Sequence, residues 1–149
     1  KNFPANKETS PKIKKNPLES IPIPSIKNSE QELFSNLVDY IILIKSNFIG
    51  KSINKQVSNT HIAQLFEEVV DAMVMEVFFK EDFEKANIEF LKYVERDFES
   101  IHQKEEPIQI EIIHNAYQKL REKDNEIRNN LKLMDIKLAD IVMPIKAGK

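Results

Sequence analysis

The stretch from Thr60 to Phe83, THIAQLFEEVVDAMVMEVFFKEDF, limits what this chain can become more than any other. Ile62, Leu65, Phe66, Val69, Val70, Met73, Val74, Val77 and Phe78 recur at intervals of three and four, which gathers them on one broad face of an amphipathic helix. Nine such side chains are worth roughly 1.5 to 3 kcal/mol each on burial, so the helix demands partners and becomes the element that the rest must cover. Asn59 or Thr60 is the expected cap at its start, and Lys80, Glu81 and Asp82 mark the end of the buried face.

The partners are legible on both sides. Ser29, followed three residues later by Glu32, has the pattern of a capping box that opens a first long helix. Leu33, Leu37, Ile41, Ile44 and Phe48 form its inward stripe, widened by Phe34, Val38 and Tyr40, and it is expected to end near Asn47. Residues 50–59 are polar and serve as the loop that returns the central helix antiparallel to the first. Between Asn87 and His102, the residues Leu91, Val94, Phe98 and Ile101 make a narrower helical seam. Pro107 permits a fresh helical start, with Ile112, Ile113, Ala116, Tyr117 and Leu120 on its apolar face and an end near Glu122. A turn at Lys123, Asp124 and Asn125 leads to a last short helix over Ile127 to Met134, beyond which the pattern is too mixed to assign.

The opening segment is different in kind. Prolines at 4, 11, 17, 22 and 24 forbid a long helix there and leave an extended arm with one helical turn at Asn16-Pro17-Leu18-Glu19. The expected fold class is therefore mainly α, an irregular antiparallel helical bundle over 29–149 with an extended, proline-rich N-terminal arm over 1–28. The arm carries six lysines against two glutamates, and since the whole chain has a net charge of −2, the helical part is acidic. A local basic surface on an acidic protein points to a polyanion such as DNA, with a solvated tail as the plainer alternative.

Several kinds of chemistry are excluded or disfavoured. The chain has no cysteine, hence no disulfide, thiol nucleophile or thiolate metal site, and the expected compartment is the cytoplasm. Gly50 and Gly148 are the only glycines, too few for a phosphate-cradling loop. No apolar run reaches the roughly 18 residues of a membrane span. His61, His102 and His114 lie far apart in sequence, and Glu67-Glu68 and Glu105-Glu106 are adjacent pairs whose side chains diverge on a helix. Asp135-Ile136-Lys137 offers the Asp-x-Lys fragment of some metal-dependent nucleases, without an identifiable upstream acid. No catalytic and no metal-binding residues are assigned.

Four stretches in order resemble the C-terminal region of type IIG restriction-modification adenine-specific DNA methyltransferases. Lys15 to Pro24, ending Ile-Pro-Ile-Pro, is similar to the close of a target recognition domain. Glu30 to Leu33 and Leu37 to Ile42 resemble the helix leaving that domain. Leu65 to Phe79 is similar to an F-E-x-x-I-D-x-x-V-Y-E-L-Y-F pattern of the family, with Met75 in place of its first tyrosine, and Ile127 to Asp135 resembles a terminal I-R-N-x-L-x-x-M-D segment. The family's Asn-Pro-Pro-Tyr methylation motif is missing, and Asn16-Pro17-Leu18-Glu19 cannot replace it because Glu19 cannot stack on a flipped adenine.

The resemblance implies a non-catalytic C-terminal fragment that supports target recognition, in a parent protein whose upstream domains carry the methyl transfer and S-adenosylmethionine. The opening at Lys1 fits a piece of such a longer polypeptide. Lys12, Lys14 and Lys15 are the expected phosphate contacts, with Arg128 beside them. The alternative is a helical protein-protein interaction module that pairs through the Leu91, Val94, Phe98 and Ile101 seam, a homo-oligomer being compatible with it.

Overall fold

The computed structural model describes residues 24–47 and 52–148. Among them there are seven helices and no strand: α1 (Asn28–Asn47), α2 (Asn59–Phe78), α3 (Lys80–Lys85), α4 (Leu91–Asp97), α5 (Glu106–Leu120), α6 (Glu126–Lys137) and α7 (Ala139–Ala147). The mainly helical bundle expected from the periodicity is what forms. Most of the proline-rich arm, including Lys12, Lys14 and Lys15, lies outside the described residues.

α1 and α2 run antiparallel. Lys45, late in α1, pairs with Glu67 at 2.7 Å, while Glu30, in its first turn, lies beside the same cavity as Glu76 late in α2. The inward face of α1 is turned somewhat from the expected stripe: Leu37, Tyr40, Leu43 and Ile44 are buried, Leu33 and Ile41 pack at the edge, and Val38 faces solvent. Tyr40 is the reason. Its ring meets Phe66 of α2 and Phe98 after α4, with centroids 5.7 Å and 5.8 Å away, and Phe66 and Phe98 close the triangle at 5.7 Å. The tilted and edge-on arrangements suit the ring quadrupoles. Tyr40 Oη donates to the Glu99 carbonyl at 2.6 Å, which gives the buried hydroxyl a partner, and burial pushes its pKa far above the ordinary 10.0.

The caps depart from the expected ones by one or two residues. Ser58, not Asn59 or Thr60, caps α2, its Oγ accepting the His61 N–H at 3.1 Å. Asn59 instead accepts the Ile53 N–H at 3.0 Å and fastens the preceding loop. At α1 the helix begins one residue earlier than expected, and Glu30 rather than Glu32 reaches back, accepting the Lys27 N–H at 3.2 Å.

Larger departures follow α2. α2 stops at Phe78, beside the charged run that marks the end of its buried face, and the short α3 is capped at Ala86 and followed by Asn87 with φ 59. There the Ile88 N–H bonds the Phe83 carbonyl and the Asn87 N–H that of Glu84, a left-handed turn that asparagine tolerates. The reversal lets Phe83 meet Phe90 at 6.4 Å. The helix expected over Asn87 to His102 shrinks to α4, because Phe98 becomes extended (φ −122, ψ 92) to send its ring into the aromatic triangle. α4 has no cap of its own at Phe90; Glu76 of α2 supplies it, Oε1 accepting from the Phe90 and Leu91 N–H groups at 3.0 Å and 2.9 Å.

The seam proposed as an interaction surface is core. Val94, Phe98 and Ile101 are buried, and Leu91 packs against them, so these side chains are not available to another protein. α6 forms over the last expected segment, capped by Asn125, and the mixed stretch beyond Asp135 adds α7, which tolerates Pro144 in its interior at the loss of one backbone bond.

Two outcomes follow for stability. Phe98→Ala lowers the unfolding free energy in denaturant by about 3–5 kcal/mol, as for other large-to-small changes of a buried ring. Glu76 behaves oppositely to a surface carboxylate. Burial raises its pKa above the ordinary 4.5 and outweighs the two backbone bonds that lower it. The folded state thus binds the proton more tightly than the unfolded one, and the stability linked to that proton is full below pH 4.5 and lost as pH rises through the raised value. Glu76→Gln keeps the acceptor without the charge, so thermal melts at pH 7 should show it at least as stable as the parent, the difference closing in acid; a less stable glutamine variant at pH 7 would contradict this account.

Candidate functional site

A groove runs between α2 and α6, floored by apolar side chains and edged by charges. Two depressions compose it and share Glu68, Leu131 and Lys132. The first, about 380 Å³, lies where α5 joins, between Leu65 of α2, Tyr117 and Leu120 of α5 and Leu131 of α6. His61, Arg121, Arg128 and Lys132 stand around it. The second, about 240 Å³, is closed by α7 over Val74, Met75, Met134 and Ile145, with Asp71 and Asp135 at its edge. One end of the groove is therefore basic and the other mainly acidic.

The basic end is built by hydrogen bonds that begin in the core. Asn125, nearly fully buried, caps α6 by accepting the Arg128 N–H at 3.0 Å, and its own Nδ2 donates to Asp97 at 3.2 Å. Arg128 turns its Nη1 to the Arg121 carbonyl and so closes the end of α5. Arg121 in turn lies over the Tyr117 ring, 5.7 Å from its centroid. Arg128 and Lys132 are four residues apart on α6 and share a face.

Asp97 is the hub beneath this arrangement. Its side chain is only 2% exposed, and it accepts from Arg96 Nε at 2.7 Å and Nη2 at 3.0 Å, with Lys119 Nζ 3.7 Å away. Arg96 also reaches Glu126 at 2.8 Å, joining α4 to the first turn of α6. Burial works to raise the Asp97 pKa, but the bonds from Arg96 and Asn125, helped by the charges of Arg96 and Lys119, prevail and hold it below the ordinary 3.8.

Of the four residues expected to touch phosphate, Arg128 alone is described, and it stands at the basic end of the groove with part of its guanidinium committed to capping α5. From the sequence His61 is weighed only as a metal ligand, and Arg121 and Lys132 are not singled out, because the three come from α2, the end of α5 and α6, and only the packing of these helices assembles them. No group of three or more histidine or acidic side chains that could hold a metal ion occurs among the described residues. The Asp-x-Lys fragment does not make a nuclease site: Asp135 is helical and pairs with Lys146 at 2.7 Å, while Lys137 Nζ donates to the Ala86 carbonyl at 3.4 Å. No helix among the described residues is long and apolar enough to cross a membrane. Cations around an apolar floor can hold an anion and position it, and no nucleophile with an adjacent base accompanies them.

Comparison with protein-family models, with curated proteins and with solved structures found no match for this chain.

Acid titration reports on the hub. Because the Asp97 pKa is depressed in the folded state, its contribution is present above pH 3.8 and is lost as pH falls through the lower folded value. Asp97→Asn costs about 1.5–3 kcal/mol at pH 7, the range for hydrogen bonds to a charged group, and flattens the loss of stability in acid. Urea melts between pH 2 and 7 measure both effects.

Proposed function

We propose that this chain is a non-catalytic helical module of a restriction-modification DNA methyltransferase, and that it braces the target recognition region by contacting DNA phosphates. The supporting observation is the basic end of the groove. The segment that resembles the family's terminal I-R-N motif is α6, and its Arg128 and Lys132 stand beside Arg121 and His61 around one depression. An acidic helical body with a confined basic end suits a protein that meets the duplex backbone at one place and keeps its remaining surface away from it. Lys12, Lys14 and Lys15 of the arm add phosphate contacts in the same reading. In the parent protein, S-adenosylmethionine and the methyl-transfer residues belong to upstream domains.

The test is fluorescence anisotropy of a labelled duplex titrated with the chain at several salt concentrations. Binding should weaken with salt, and an Arg121→Ala, Arg128→Gln double variant should reduce the slope of log K against log salt by roughly 0.9 for each contact removed, with little dependence on DNA sequence. Glutamine at 128 retains a donor for the Arg121 carbonyl, so thermal melting should change little. An unchanged slope with an unchanged melt would remove these two residues from the interface, and no binding at low salt would overturn the reading.

A further inference from the structure

The cations at the basic end of the groove stand on two separate pieces of chain. Arg121 follows the last turn of α5, whereas Arg128 and Lys132 belong to α6. One carboxylate reaches both pieces. Asp97, the last residue of α4, accepts from Asn125 Nδ2 at 3.2 Å at the start of α6, and Lys119 Nζ, two residues before Arg121, lies 3.7 Å from it. Arg128 then completes a closed chain of contacts, its backbone N–H donating to Asn125 Oδ1 at 3.0 Å and its Nη1 to the Arg121 carbonyl. Arg96, held by Asp97, adds a second tie to the first turn of α6 through Glu126 at 2.8 Å.

Neither Asp97 nor Asn125 lines the depression around which the cations stand, and both side chains are almost fully buried, so neither can touch a phosphate there. We infer that Asp97 and Asn125 are positioning residues of the phosphate site, which set Arg121 and Arg128 in one fixed arrangement and so raise the affinity for DNA that neither of them contacts. The inference rests on the DNA-contacting reading and names what makes that site grip. Arginine side chains lose rotamer freedom when they hold a phosphate, and contacts within the chain that already restrict them reduce this loss. The sign of the effect separates positioning from plain electrostatics. A carboxylate beneath a phosphate site repels the ligand, so its field alone predicts that removing the charge tightens binding. Positioning predicts the reverse.

The test is anisotropy of a labelled duplex at one low salt concentration, at a temperature where circular dichroism shows every variant folded. Asn125→Ser changes no charge and keeps a capping oxygen for the Arg128 N–H, but it lacks the amide that reaches Asp97. It should weaken binding by roughly three- to tenfold, the loss expected for one ordinary hydrogen bond. Asp97→Asn should weaken binding as well, although it removes a negative charge. Added to the Arg121→Ala, Arg128→Gln double variant, Asn125→Ser should have almost no further effect, because the groups it positions are gone. Unchanged binding by folded Asn125→Ser, or tighter binding by folded Asp97→Asn, overturns the inference and leaves the DNA-contacting reading standing. An equal loss from Asn125→Ser with and without the two arginines does the same, since the loss would not pass through them. A parent chain that binds no duplex overturns that reading, and the inference with it.

Discussion

The contact on which the other packing decisions depend is the triangle of Tyr40, Phe66 and Phe98. It joins α1, α2 and the segment after α4 through three rings less than 6 Å apart, centroid to centroid, all essentially removed from solvent. Tyr40 adds direction to what would otherwise be non-specific apolar burial. Its hydroxyl must find an acceptor once buried, and the Glu99 carbonyl meets that need only if the chain leaves α4 in an extended conformation at Phe98. One polar requirement inside an apolar cluster thus sets the rotation of α1 and ends α4 early.

A second tier of polar contacts links the core to the groove. Glu76 leaves α2 to cap α4. Asn130 of α6 donates to the Glu89 carbonyl at 2.8 Å, just ahead of that cap. Asp97 closes α4 and ties it, through Asn125, to the start of α6. α4 is only seven residues long, too short to be stable by itself, and it is held at both ends by side chains of other helices. The same contacts determine where α6 lies along α2, and hence the shape and charge of the groove between them.

The charge distribution follows from this layout. In sequence the acidic and basic residues of 29–149 are interspersed, as on most exposed helix surfaces. The turn of α6 brings Arg128 and Lys132 toward His61 and Arg121, while Asp71 and Asp135 fall at the far end. Arg128 and Arg121 are also structural, one capping α5 and the other lying on Tyr117, so the basic end is held in place by contacts within the chain.

By itself the sequence determined the local elements. The apolar spacing of Ile62, Phe66, Val69 and Met73 requires a helix with one buried face, and Pro107 and Asn125 mark real helical starts, because periodicity and capping depend on neighbours within a turn or two. The long-range partners were decided by the tertiary structure. Nothing near Phe90 predicts a cap, since the carboxylate comes from Glu76, fourteen residues earlier. Phe98 has the spacing of a helical seam, yet it becomes extended because an aromatic pocket and the Tyr40 hydroxyl are worth more than one further turn of a short helix. The groove was invisible for the same reason: its residues share no local pattern, and only the packing of α6 on α2 makes them neighbours.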